Sequence, residues 1–228
     1  MKYTLISFGT AYPLMYRRAI NRTRKVCRSL GIPHHLQIID PVTFLRFGWH
    51  SAVLYKPTFI KNMLHGFNDT VVWIDADCEL LDKFDLPEGD WDIGTVPHQL
   101  LRNRLHFTPW VVSLLAIRPT EQAKRLVGFW EQLCQWNVLG KPEARCSDHA
   151  RLMWALAVMP EVQVQNILPY VRGKVYLDAR HKKRSKLGYD QIPIEYNDWY
   201  PVIKIPEDKD IQEYLLQEVK QWQKNAKI

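Results

Sequence analysis

Two rhythms of apolar and polar positions run along this chain. Tyr3 to Thr10 (YTLISFGT) is a short apolar run bounded by polar positions, and it predicts a buried first strand. Helical spacing then predicts a helix over about Tyr16 to Leu30, with Gly31 positioned to close it. HLQIID (His35 to Asp40) predicts a second strand, and Pro57 to Leu64 a short helix with its proline in the tolerated first turn. VVWID (Val71 to Asp75) predicts a third strand, Trp91 to His98 a fourth and Val111 to Pro119 a fifth. Thr120 is positioned to cap a helix from Glu121 to Trp136, whose apolar face is Leu126, Val127, Trp130, Leu133 and Cys134. Ser147 is positioned to cap another, running to about Val158.

Strands alternating with helices predict an α/β fold. The expected form is a single Rossmann-type domain with a mostly parallel central sheet and helices on both faces. The regular pattern fades after Pro169 into a basic segment, Tyr170 to Pro206, followed by a helix over about Asp208 to Lys224. Ile211, Leu215, Val219 and Trp222 line one face of that helix, so it is expected to pack on the body. Residues 1–228 therefore read as one domain, with a core over 1–169 and the basic segment and last helix over 170–228. A chain of 228 residues with 46% hydrophobic content can bury one sizeable core.

No apolar run is long enough to span a bilayer, and the N-terminal stretch carries no evident cleavage site. The expectation is a cytoplasmic protein without a transmembrane segment. Cys27, Cys78, Cys134 and Cys146 are widely spaced and include no Cys-x-x-Cys pair. Free thiols in a reducing compartment fit them better than disulfides or a zinc site.

The formal charge of +7 points to a polyanionic partner: nucleic acid, a phosphorylated glycan or an anionic membrane surface. The charge is clustered. One group is Arg17, Arg18, Arg22, Arg24, Lys25 and Arg28, and the other is Arg180, Lys182, Lys183, Arg184 and Lys186. Either group alone reads equally well as a solvated face.

The sharpest chemical signal is VVWIDADCEL, where an apolar strand runs into Asp75 and Asp77. In an open α/β sheet, ligands are held at the carboxyl edge of the strands. Two carboxylates there repel each other unless a cation lies between them. A hard divalent ion, Mn2+ or Mg2+, does this and in turn holds phosphates. Asp also favours turns and helix caps, so the pair alone is a weak signal and its position after a strand gives it weight.

These residues resemble those of a small GT-A-fold nucleotide-sugar glycosyltransferase. The likeness is spread over roughly Lys2 to Ser185, in SFGT, YKPTFI, WIDADCEL, AIRPTEQAKRLVGFWEQL, SDHARLMWAL and ARHKKRSK. The fifth resembles the family's Asp-Gln helix start, with His149 in place of the usual Gln. The resemblance implies a sugar transferred from a nucleotide-diphosphate sugar to an acceptor, assisted by Mn2+ or Mg2+. It implies metal contacts at Asp75, Asp77 and His181, with Asp77 direct and Asp75 acting through water or the ribose hydroxyls. It implies donor contacts at Phe8, Gly9, Thr10, Lys56, Asp75, Ala76, Lys182, Ser185 and Lys186, and Arg18, near the start of the first helix beside that edge, is expected to face the nucleotide. Asp148 is then the carboxylate that approaches the transferred sugar or the acceptor.

Two other classes share parts of this pattern. Haloacid-dehalogenase-like phosphatases carry paired Asp residues after their first strand, usually with Thr or Val two positions on; here the pair follows the third strand and Glu79 stands there. Sugar-nucleotide pyrophosphorylases carry a glycine-rich loop after the first strand, which SFGTAYPLMYRR lacks. For the acceptor, a cell-envelope glycan is the first expectation and hydroxymethylated DNA of the phage type the second, the latter on charge. A nucleic-acid-binding module without catalysis also accounts for the charge. It leaves the carboxylate pair unexplained, because carboxylates repel a phosphate backbone.

Overall fold

The computed structural model describes residues 2–11, 14–40, 50–97, 110–136 and 148–176. Over these residues the strands are β1 (Tyr3–Thr10), β2 (His34–Ile39), β3 (Thr70–Ile74), β4 (Glu79–Leu80), β5 (Ile93–Pro97), β6 (Trp110–Ile117), β7 (Val164–Asn166) and β8 (Val175–Tyr176). The helices are α1 (Leu14–Ser29), α2 (His50–Leu54), α3 (Lys56–Gly66), α4 (Glu121–Trp136), α5 (Asp148–Val158) and α6 (Leu168–Val171).

Six strands form one sheet in the order β2-β1-β3-β6-β5-β7. β6 runs antiparallel to both its neighbours, and the other pairings are parallel. The expected mostly parallel α/β sheet is therefore present, with one reversed strand at its centre. β4 and β8 pair separately as a small antiparallel ribbon.

The period-2 alternation of β3 divides the core between the two sheet faces. Val71 and Trp73 pack into one cluster with Phe59 and Ile60 of α3 and Leu126, Val127 and Trp130 of α4. Val72 and Ile74 pack into the other with Ile20 and Cys27 of α1. Both clusters lie behind β3, so its carboxyl end is held from two sides.

The helix boundaries follow local chemistry. Gly31 has φ 63°, the left-handed conformation that ends α1. The Thr120 hydroxyl accepts from the Ala123 amide at 3.1 Å, the expected N-cap of α4. All five apolar-face residues of α4 named above are buried. α2, β4, β7, α6 and β8 are too short to leave a period in the sequence. Their pairing depends on partners distant in the chain, such as Glu79 with Tyr176. Ser147, Cys146 and the expected helix over Asp208 to Lys224 lie outside the described residues.

Candidate active site

β3 ends at Ile74, and the chain turns at once. The Asp75 amide donates to the Ser113 carbonyl of β6 at 2.9 Å, and the Cys78 amide donates back to the Asp75 carbonyl at 2.9 Å. These bonds close a four-residue turn with Ala76 and Asp77 at its tip, both partly exposed. Asp75 continues the face of Trp73, toward α3; its carboxylate Oδ1 accepts from the Trp73 indole Nε1 at 2.7 Å.

Lys56, the first residue of α3, reaches the same carboxylate. Its Nζ lies 2.9 Å from Asp75 Oδ1 and 2.6 Å from Asp148 Oδ2. It also lies 5.5 Å from the centre of the Trp73 ring, within range of a cation–π contact. Lys56 is 5% exposed and Asp148 4%, so their side of the bridge is shielded from water, while Asp75 is partly exposed. Burial alone would push the ammonium toward neutrality, but Asp148 and Asp75 outweigh it and hold the Lys56 pKa above its ordinary value. Burial pushes the Asp148 carboxyl up, aided by the charge of Asp75 and opposed by Lys56.

The start of α5 is clamped on two sides. The Trp130 indole donates to the Asp148 carbonyl at 2.8 Å, and the His149 Nε2–H donates to the Trp110 carbonyl at 2.5 Å. Burial, with Lys56 adding to it and the Trp110 carbonyl opposing it, lowers the His149 pKa from 6.5 to about 4. The imidazole is therefore neutral in the folded chain at neutral pH, while the unfolded chain takes up the proton below about pH 6.5. Stability from this residue is fully present above that pH and drains away down to about pH 4, by roughly 3 kcal/mol at one pKa unit per 1.4 kcal/mol. In His149→Gln, whose amide can keep the bond to Trp110, this acid-induced loss should disappear. Thermal melts of parent and variant between pH 7 and pH 4 check it: the parent's melting temperature should fall faster.

The donor edge is set by β1, parallel to β3 and beside it. Phe8 packs its ring against Tyr55, Phe59 and Trp73 and is 7% exposed. Gly9 lies under α1, where a Cβ would meet Ile20 Cγ1 at 2.7 Å and the Tyr16 carbonyl at 3.1 Å, so the close approach of α1 to the strand needs glycine. Thr10 is 8% exposed. Its buried hydroxyl has no hydrogen-bond partner among the described residues. Arg18 is exposed, one turn into α1.

The fold thus joins Lys56, Asp75 and Asp148, drawn from three separated segments, with Asp77 on the adjoining turn. His181, Lys182, Ser185 and Lys186 lie outside the described residues. Sequence reasoning missed the Trp73 indole as a donor to Asp75 and the role of Lys56 as a bridge. One signal for the bridge was present: Lys56 shares a helical stripe with Phe59, Ile60 and Leu64, all buried, and a lysine on such a stripe needs a buried counter-charge.

No protein-family model matches this chain, and no curated protein does. Solved structures do. A glycosyltransferase involved in glycosylation of the major capsid of PBCV-1 aligns at TM-score 0.53 and 14% identity, over 73% of this chain and 80% of that one. The apo form of the glycosyltransferase GlyE of Streptococcus pneumoniae aligns at TM-score 0.48 and 13% identity, over 99% of this chain and 64% of that one. A Drosophila galactosyltransferase complexed with manganese, UDP-Gal and xylobiose aligns at TM-score 0.45 and 10% identity, over 80% of this chain and 74% of that one. With the mixed six-stranded sheet and its flanking helices, the first of these likenesses gives the chain a glycosyltransferase fold of the GT-A type.

Proposed function

We propose that this chain is a glycosyltransferase that moves a sugar from a nucleotide-diphosphate sugar to a glycan acceptor, with help from a divalent cation. The observation that carries the reading is the buried bridge Asp75–Lys56–Asp148 beside the Asp77 turn, at the carboxyl edge of the sheet. Charged groups brought together behind a sheet edge are costly to keep unless they serve a site.

The carboxylates fit a hard cation in a specific way. Asp75 is neutralised by Lys56, whereas Asp77 stands on the partly exposed tip of the turn. Among the described residues no group of three or more His, Cys, Asp or Glu could hold a metal. Mn2+ or Mg2+ needs only one or two carboxylates when substrate phosphates complete its shell. Asp77 is then the direct ligand and Asp75 the indirect one, with His181 as a further contact. Such an ion, when bound, stabilises the charge that develops on the departing diphosphate.

The chain's own residues supply orientation and shielding. In transfer, the bond from the anomeric carbon to the diphosphate oxygen breaks, a bond to an acceptor hydroxyl oxygen forms, and the hydroxyl proton passes to the released diphosphate or to solvent. Asp148, fixed by Trp130 and Lys56, approaches the transferred sugar and orients it. Lys56 keeps the buried Asp148 and the partly exposed Asp75 in register and presents a fixed positive charge on the donor side. Phe8, Gly9, Thr10, Arg18 and Ala76 border the donor, and Lys182, Ser185 and Lys186 are further donor contacts. Buried thiols outside any disulfide at Cys27, Cys78 and Cys134 favour a reducing compartment such as the cytoplasm. Among the described residues, no helix is long and apolar enough to cross a membrane.

The test is a thermal-shift panel of nucleoside diphosphates and nucleotide sugars with and without manganese, followed by transfer of labelled sugar to envelope-type oligosaccharides and to hydroxymethylated DNA. The reading expects a manganese-dependent shift with at least one diphosphate and label in an oligosaccharide. Salt-sensitive DNA binding with no diphosphate response would instead support a nucleic-acid-binding module, and label in the DNA would replace the glycan as acceptor.

A further inference from the structure

The Arg-rich helix α1 remains after the site has used Arg18. Its buried side is Ala19, Ile20, Thr23 and Cys27, which pack on the sheet. At about 100° per residue, Arg17, Lys25, Arg28, Arg18 and Arg22 fall with Leu14 and Met15 in an outer arc of roughly 160°. Arg17, Arg18, Arg22, Lys25 and Arg28 are exposed, and the helix contains no Asp or Glu. Arg22 leans to Glu79 at 3.7 Å, and the Arg24 guanidinium is turned inward to Asn21 Oδ1 at 2.6 Å and the Leu36 carbonyl at 2.8 Å. Among the described residues, no ion pair involves Arg17, Lys25 or Arg28.

A solvated helix face explains cations alone. It does not explain Leu14 and Met15, which are 49% and 48% exposed on the first turn of the same face. Nucleic acid or a soluble anionic glycan would engage the cations and leave both apolar side chains in water. An anionic bilayer surface engages both: headgroup phosphates take the cations, and Leu14 and Met15 enter the boundary with the acyl chains. The position in the fold suits this partner. α1 starts directly after β1, whose carboxyl end lies beside that of β3, so the exposed turn sits on the same sheet edge as Asp75 and Asp77.

We propose that the outer face of α1 docks the chain reversibly on an anionic membrane surface, with Leu14 and Met15 as the inserted pair and Arg17, Lys25 and Arg28 as headgroup contacts. On the glycosyl-transfer reading, this presents the site to acceptors carried at that surface. The docking itself does not depend on that reading.

The experiment is co-sedimentation of the full chain with phosphatidylcholine vesicles and with vesicles in which part of the lipid is phosphatidylglycerol. The parent should bind the anionic vesicles and not the neutral ones. Arg17→Gln/Lys25→Gln/Arg28→Gln, which leaves Arg18 intact, should weaken partition by roughly 100-fold, at on the order of 5-fold per cation. Leu14→Ser/Met15→Ser should weaken vesicle binding about 10-fold while leaving retention on heparin as in the parent. Parent binding equal on both vesicle types, or a triple variant that binds anionic vesicles like the parent, overturns the proposal. So does a Leu14→Ser/Met15→Ser variant with undiminished vesicle binding, because the face is then a general polyanion surface. Circular dichroism checks that the variants are folded. Manganese-dependent diphosphate binding is measured separately, so its failure would count against the transferase reading and leave the vesicle result standing.

Discussion

Lys56→Met should abolish sugar transfer and destabilise the fold by about 3–5 kcal/mol, the range for removing one partner of a buried ion pair. Methionine fills similar space, so the loss is electrostatic. Asp148, 4% exposed, loses the ammonium 2.6 Å from its Oδ2, and Asp75 loses the one 2.9 Å from its Oδ1. Two neighbouring carboxylates, one of them buried, would then face each other without a cation between them. Asp148→Asn in the same background removes part of that repulsion, so the double variant should lose less stability than the two single losses added. Urea titration of the four proteins gives this coupling, which should exceed about 1 kcal/mol for groups in direct contact. Additive losses would mean that Lys56 and Asp148 do not act as a pair. Lys56→Arg should fold better than Lys56→Met, because charge is retained, yet transfer poorly, because a planar fork does not fit a site built around a point charge.

Asp77→Asn should leave the fold nearly unchanged and remove the metal-dependent part of nucleoside-diphosphate binding. The side chain sits at the tip of a turn and is partly exposed, so its shape is retained at little cost. Loss of a direct ligand from a site with few protein ligands should weaken manganese-dependent binding by roughly 100-fold or more, since even outer-shell partners of a metal are worth about 10–100-fold. Asp75→Asn should weaken it less, because Asp75 already spends an oxygen on Lys56 and Trp73. It should cost more stability than Asp77→Asn, because it breaks part of the buried bridge. Titration calorimetry with and without manganese separates the two. Two variants that bind like the parent would remove the metal role from this turn.

Local residue patterns were enough to reveal the elements with long periods and the end of β3. The α4 stripe, its Thr120 cap and the Gly31 stop were readable because each depends on residues within a few positions of one another. The change from Ile74 to Asp75 marked a sheet edge for the same reason: a buried strand must end where charge begins. Local spacing marked Asp148 as the first residue of a helix, where an acid also complements the dipole, and the resemblance alone marked it as a site carboxylate. Long-range folding placed Lys56 between Asp75 and Asp148, since hydrogen-bond distance between positions 56, 75 and 148 has no local signature. It also decided the reversed direction of β6 and the β4–β8 ribbon, which arise from pairing between distant segments. On α1 the basic residues were legible as a cluster. Which of them faces solvent with Leu14 and Met15, and which turns inward as Arg24 does, depended on how α1 packs on β1 and β2, because burial is a property of the neighbours and not of the residue.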